Sequence, residues 1–195
     1  MHQALLHFLS QFSELSTAEV EAIAEHIPVA EFPKGTTLIH EGEVPQACYY
    51  VLQGCVRQYH FVEGEEKTTA FYTERNGTIS SSDFVRQTPS GFFLTCVEDC
   101  LLICGGRDID QENYQKFPVL KEITRQMVEE ELNDTKEQFV QFVNSTPEER
   151  YKNLLKTNPD LPQRVPQHQI ASLLGMTPES LSRIRKRILE KERRG

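Results

Sequence analysis

Gln167-His168-Gln169-Ile170-Ala171-Ser172-Leu173-Leu174-Gly175-Met176-Thr177-Pro178-Glu179-Ser180-Leu181-Ser182-Arg183-Ile184-Arg185-Lys186-Arg187-Ile188-Leu189 reads as two helices joined by a turn. Ile170, Leu173 and Leu174 give a short first helix one apolar side, and Ala171 is small enough for a second helix to cross closely. Gly175 supplies a turn residue without a Cβ. Thr177 followed by Pro178 is a helix-start signal, a hydroxyl cap and then proline at the first helical position. Leu181, Ile184 and Ile188 then face inward, while Glu179, Arg183 and Arg187 recur every four residues on another face. That face suits the major groove, where Arg can donate two hydrogen bonds to guanine and Glu can accept one from cytosine N4. An ordinary amphipathic helix pair with a solvated charged side would share much of this pattern. The agreement of turn, cap, core and groove face favours a helix-turn-helix that binds duplex DNA. The residues expected to face DNA are Glu179, Ser180, Ser182, Arg183, Lys186 and Arg187, with Thr177 and Gln169.

The charge of the whole chain opposes that reading until it is divided. The formal net charge is −8, from 21 Lys and Arg against 29 Asp and Glu. Residues 147–195 carry eleven basic and six acidic side chains, a net of +5, which leaves ten basic and twenty-three acidic, a net of −13, for residues 1–146. A small basic DNA-binding part joined to an acidic sensor would be divided in this way. No apolar run approaches the ~20 residues a membrane span needs. Met1-His2-Gln3-Ala4-Leu5-Leu6-His7-Phe8 lacks the basic start and cleavage site of a signal peptide, so a cytoplasmic protein without membrane partners is expected. The five cysteines (Cys48, Cys55, Cys96, Cys100 and Cys104) are then expected to be reduced. Cys96, Cys100 and Cys104 lack the Cys-x2-Cys spacing zinc favours, and they sit among strand-forming residues, so buried structural thiols are expected and no metal.

Leu5, Leu6, Leu9, Phe12 and Leu15, then Val20, Ile23 and Ala24, predict two short helices within residues 4–26, the second capped at Ser16 with Glu19 three positions on. From Pro28 to Ile103 short β-rich runs recur at 31–32, 36–39, 48–52, 56–61, 67–72, 92–97 and 101–104, separated by Gly turns. Such punctuation predicts a closed antiparallel architecture, a jelly roll or barrel. After Pro118 the periodicity is helical for about 25 residues. Its narrow apolar stripe predicts pairing with a second copy through Leu120, Ile123, Met127, Leu132, Thr135, Phe139 and Phe142, with packing on its own barrel as the alternative. Ser145-Thr146-Pro147-Glu148-Glu149 restarts a helix after a plausible hinge. The expected division is therefore 1–116 sensor, 117–146 pairing helix and 147–195 DNA-binding part, in an α+β fold.

This order of parts resembles the Crp/Fnr family of catabolite-activator and fumarate-nitrate-reductase regulators across nearly the whole chain. Lys34-Gly35-x2-Leu38-x3-Gly42 and Tyr49-Tyr50-Val51-Leu52-Gln53-Gly54-Cys55-Val56-Arg57 carry the sensor signature, and Ile170-Ala171-x2-Leu174-Gly175 through Ile184 carries the DNA-binding one. The resemblance implies a bacterial homodimeric transcription regulator with a cyclic-nucleotide-binding-like jelly roll, duplex DNA as partner and a contact with RNA polymerase. It places the family's base-contacting glutamate and arginine on Glu179 and Arg183. An arginine often precedes that glutamate; Pro178 stands there instead, so one contact is lost.

The sensor part departs further. Family members that bind cyclic AMP carry a Gly-Glu pair and, a few residues on, an Arg followed by Ser or Thr and Ala. Here Ser81-Ser82 occupy the first place and Pro89-Ser90-Gly91-Phe92 surround the second, with Arg75 and Arg86 out of register. Thr135 falls where a family threonine meets the adenine, but Lys136 follows it rather than Ser. Without an arginine a buried phosphodiester loses its charge partner. No cofactor is assigned. An effector other than cyclic AMP, held by Ser80, Ser81, Ser82, Ser90 and Thr135, is expected, against the alternative that the serines are turn residues. A wing beyond the second helix is expected to be absent or reduced, with Lys191, Arg193 and Arg194 touching phosphates or forming a solvated tail.

Catalysis is not expected. His40 and His60 stand alone, without the His cluster a metal-dependent jelly-roll enzyme needs, and no nucleophile motif or P-loop occurs. The competing class is a ligand-sensing module acting through protein contacts without reading DNA, which the +5 carboxyl-terminal part disfavours.

Overall fold

Runs of β-branched, aromatic and cysteine residues between glycine turns form eight antiparallel strands in the computed structural model, which describes residues 2–79 and 82–192. They are β1 (Val29–Phe32), β2 (Thr37–Ile39), β3 (Cys48–Gln53), β4 (Cys55–Val62), β5 (Glu65–Thr73), β6 (Thr78–Ile79), β7 (Phe93–Cys96) and β8 (Cys100–Gly105). One sheet has the order β1-β8-β3-β6 and the other β2-β7-β4-β5. First with last, second with seventh, third with sixth and fourth with fifth is a long hairpin wrapped into two sheets, the jelly roll expected from the sequence. Strand β6 was not foreseen; two residues carry no periodicity to read. The β4–β5 hairpin closes on Glu63 and Gly64, both at positive φ (56° and 82°), the two-residue turn whose twist matches the strands. At the β3–β4 corner Gly54 is required, because a Cβ there would lie 2.7 Å from both the Asp99 carbonyl oxygen and Cys100 Sγ.

Ile39, Val51, Val56, Ile79, Leu94, Cys96, Cys100 and Leu102 fill the space between the sheets. Cys55 is also buried, Cys48 and Cys104 are half-buried, and the five are free thiols. Burial pushes the Cys48 thiol up to about 11, and the same cause raises Cys55 further, as suits structural thiols.

Two amino-terminal helices, α1 (His2–Leu9) and α2 (Thr17–Ala24), pack Leu5, Leu9, Val20 and Ile23 into a second core. The Ser16–Glu19 capping box that starts α2 is present in both directions. Helices α3 (Ser82–Arg86) and α4 (Arg107–Lys116) follow β6 and β8. Ten mostly polar residues hid α4 from periodicity.

After Pro118, α5 (Val119–Asn144) runs for 26 residues. Its beginning belongs to the chain's own core: of the residues expected on the pairing seam, Leu120 is buried in the second core, Met127 packs against it, and Ile123 is buried as well. From Leu132 to Asn144 every residue is exposed, including Leu132, Thr135, Phe139, Val140 and Val143.

Thr146 caps α6 (Pro147–Thr157) through a second capping box with Glu149, and Pro147 takes the first position. Beyond it lie α7 (Leu161–Arg164), α8 (Gln167–Leu173) and α9 (Pro178–Glu192). Tyr151, Leu154, Leu161, Val165, Ile170, Ala171, Leu174, Leu181 and Ile184 form their core, and Cys55 and Phe71 from the outer face of the β4–β5 hairpin join the same cluster. The helices therefore sit on the sheet, with α8 along the edge strand β5. Arg164 donates to Glu74 through Nη1 (2.9 Å) and Nη2 (3.1 Å) and to Glu98 through Nε (3.1 Å).

Candidate nucleic-acid interface and ligand site

The turn between α8 and α9 is built by its glycine. Gly175 adopts φ +66°, and the Met176 and Gly175 N–H groups donate to the Ala171 and Ser172 carbonyls, both at 3.0 Å. This double return closes α8 in the Schellman manner, which leaves Leu174 free to point into the core. Ala171 has no exposed surface and lies in the same cluster as Leu181 and Ile184 of the crossing helix. At the start of α9 the Thr177 hydroxyl oxygen accepts from the Ser180 N–H at 3.3 Å. This is the expected cap, ahead of Pro178.

With Leu181 and Ile184 buried, Glu179, Ser182, Arg183 and Lys186 are left exposed along one side, with Thr177 exposed at the cap and Ser180 half-buried. Arg183 Nη2 donates to Ser180 Oγ at 3.3 Å, which steadies the guanidinium over the first turn. The Glu179 carboxyl lies below the usual carboxylate range because its own backbone N–H and the Thr177 hydroxyl donate to it, with the Arg183 charge adding to the effect. It is an ionised acceptor beside a forked cation. A hollow of about 550 Å³ opens here, lined by Gln167, His168, Pro178, Glu179 and Ser182. Gln167 and His168 were not singled out from sequence; Gln167 Nε2 donates to the Pro178 carbonyl at 3.4 Å, a contact between the two helix starts that depends on the angle at which α8 and α9 cross.

Two members of the expected set stand elsewhere. Arg187 turns toward α6, its Nε 3.5 Å from Glu148 Oε2. Gln169 is half-buried, and its Oε1 is fully buried without a hydrogen-bond partner. Arg193 and Arg194 lie outside the described residues.

The serines expected to hold an effector are not gathered into one site. Ser80 and Ser81 lie outside the described residues. Ser82 is exposed at the start of α3, and Thr135 is exposed on α5. Ser90 is buried, but its hydroxyl is used locally, donating to the Phe92 carbonyl (3.0 Å) and accepting from the Phe92 N–H (3.2 Å). Among the described residues no hydrogen bond joins Ser82, Ser90 and Thr135.

A cyclic nucleotide needs a cation facing the inside of the roll. Among the described residues the only buried cation is Arg57, and it lies on the outer face of β4. Its Nε donates to Thr68 Oγ1 at 2.9 Å and its Nη1 to Glu66 at 2.5 Å, and the guanidinium covers the Tyr59 ring. Arg86 is exposed, Arg75 faces Asp160 at 3.6 Å, and Arg107 donates to the Val85 carbonyl. The space between the sheets is filled by aliphatic and cysteine side chains, with Phe32, Tyr49, Tyr72 and Phe92 packed against them and no cation among them. The described residues do not fit a buried phosphodiester.

The cyclic nucleotide-binding domain family matches residues 29–108, the jelly roll itself. No curated protein matches the sequence. Among solved structures, FixK2 from Bradyrhizobium japonicum is 17% identical with a TM-score of 0.67, covering 85% of this chain and 86% of its own. A CooA mutant from Carboxydothermus hydrogenoformans is 19% identical with a TM-score of 0.67, covering 96% and 84%. The c-di-GMP responsive global regulator CLP from Xanthomonas campestris is 18% identical with a TM-score of 0.65, covering 91% and 93%. These are likenesses of fold, and they extend over α5 to α9 as well as the roll. Residues 29–108 match the cyclic nucleotide-binding domain family, and the resemblance of the chain to Crp/Fnr-type regulators is borne out in its fold.

Proposed function

We propose that the chain is a homodimeric, DNA-binding transcription regulator of the Crp/Fnr type, cytoplasmic and without catalytic activity. Residues 1–116 sense, 117–146 pair two copies and 147–195 bind duplex DNA. The observation that carries this reading is the side of α9 bearing Glu179, Ser182, Arg183 and Lys186, exposed and capped on a fully buried helix crossing. Arg183 would donate to guanine O6 and N7, Glu179 would accept from cytosine N4, and Lys186 would meet phosphate. The exposed stripe of α5, Leu132, Phe139, Val140 and Val143, suits a second copy, whose two-fold axis would set two α9 helices one DNA turn apart, ~34 Å. The acidic remainder of the chain would keep every other surface off the duplex. The effector is a small molecule other than cyclic AMP, since the buried cation of the roll points outward and is already paired. A contact with RNA polymerase belongs to the reading if the regulator activates.

Titration of a labelled mixed-sequence duplex at stepped salt tests it. Binding whose log K falls linearly with log salt is expected, and absence of binding at low salt would overturn the reading.

A further inference from the structure

Glu148 is the second residue of α6, and three cations converge on it. Its Oε1 lies 2.9 Å from Lys152 Nζ and 3.6 Å from Lys191 Nζ, while its Oε2 lies 3.5 Å from Arg187 Nε. Lys152 is the local i, i+4 partner within α6; Arg187 and Lys191 reach across from α9. Only 19% of the Glu148 side chain is exposed, against 56% for Arg187 and 66% for Lys191. Its neighbour Glu149 is committed to the capping box with Thr146, so capping is not the task of Glu148.

The turn of the helix explains why these two cations are within reach. At about 100° per residue, Arg183 and Lys186 stay within roughly 40° of Glu179, whereas Arg187 stands about 80° round and Lys191 about 120°, toward α6. Arg187 and Lys191 thus occupy the edge of the groove-facing side. A duplex lying against Glu179 and Arg183 would carry a phosphate strand past that edge, where backbone anions and Glu148 would compete for the same two cations.

We propose that Glu148 sets the affinity of the DNA interface, acting as an internal counterion that holds Arg187 and Lys191 off the DNA backbone. Each cation it retains is one fewer phosphate contact, so binding is weaker and less salt-dependent than the charge of α9 would give. This inference rests on the regulator reading above.

The test compares the full-length chain with Glu148→Gln, Arg187→Ala and the double variant, on one mixed-sequence duplex over a range of salt. Glu148→Gln should bind roughly 3- to 10-fold more tightly at low salt, and its log–log salt slope should steepen by up to about 4, as Arg187 and Lys191 each regain a phosphate contact in each of two copies. Arg187→Ala alone should change binding less than about twofold, yet in the Glu148→Gln background it should remove about half of the gain in affinity and slope, a coupling that a general loss of helix packing would not produce. Thermal melting of each variant reports folding separately. Unchanged or weaker binding by Glu148→Gln with an unchanged slope, while the unsubstituted chain binds in a salt-dependent way, would overturn the inference alone. No binding by the unsubstituted chain would remove the regulator reading and this inference with it.

Discussion

The backbone N–H of Thr68 donates to the hydroxyl oxygen of Ser172 at 2.9 Å, joining the edge strand of the roll to the first helix of the α8–α9 pair across 104 residues. Edge strands leave N–H groups without partners, and here a helix side chain supplies one beside a register shift between Gln58 and Tyr59. Arg57, buried on the same face, is bonded to the Thr68 hydroxyl, so the contact continues into the sheet. Ser172→Ala removes the acceptor from a part-buried N–H. It should destabilise the chain by about 1–2 kcal/mol in urea unfolding. A change below a few tenths would mean that water serves the N–H equally well.

The Arg164 fork adds a pH signature to the same docking. Burial alone would raise the Glu74 carboxyl, but hydrogen bonds from Arg164 and the Gly54 N–H, with the Arg164 charge, hold it below its ordinary value. A carboxyl depressed in the folded state stabilises it above the unfolded value, and that contribution is lost as pH falls through the folded one. Arg164→Gln should therefore cost about 1–2 kcal/mol at neutral pH, screened in part by solvent, and the difference from the parent should shrink as pH drops below the ordinary 4.5. A difference independent of pH would assign the cost to packing instead.

Gly175 combines positive φ with crowding. A Cβ there would lie 3.1 Å from Phe142 Cζ and 3.3 Å from Arg150 Nη1, where the guanidinium stacks on the Phe142 ring at 3.8 Å. Phe142, expected on the pairing seam, thus packs at the junction of α5 with the helix pair. Gly175→Ala should cost about 1–3 kcal/mol in denaturant unfolding and disturb that junction. Full stability in the variant would contradict the tight turn.

Phe139 is 68% exposed on α5 in the single chain. Phe139→Glu should leave the fold of each copy intact and convert a dimer to a monomer in sedimentation velocity. A dimer of unchanged mass would place the pairing surface elsewhere.

Two residues of α9 separate base reading from backbone attraction. Arg183→Ala should cost about 1–3 kcal/mol per half-site and relax one base position, whereas Lys186→Ala should weaken all duplexes alike and flatten the salt slope by about 1 per half-site. Identical behaviour of the two variants would mean that neither reads bases.

Much of this fold could be read locally. Strand runs between glycines, the Ser16 cap, the helix restart at Pro147, the helix after Pro118 and the Gly175 turn depend on neighbours within a few residues, and each lies within a residue or two of its expected place. Polar or short elements such as α4 and β6 carry no such pattern. The docking of α8 on β5 was also hidden, because Ser172 and Thr68, or Arg164 and Glu98, are ordinary surface types until the chain brings them together. The same holds for Leu120 and Ile123. Their spacing continues the stripe of α5, and only the folded chain shows that both are buried, Leu120 against α1 and α2. Within the DNA-facing set, Glu179 and Arg183 followed from helical periodicity, but the turning of Arg187 toward Glu148 depends on where α6 lies.

The central claim is that α9 reads duplex DNA as one half of a symmetric pair. Selection of random duplexes by the purified chain, with and without cyclic AMP, tests it most directly. The account predicts an enriched two-fold-symmetric site with half-sites one turn apart, a G·C pair that loses its preference in Arg183→Ala, and equal enrichment in both arms. An absence of enrichment in either arm would contradict it.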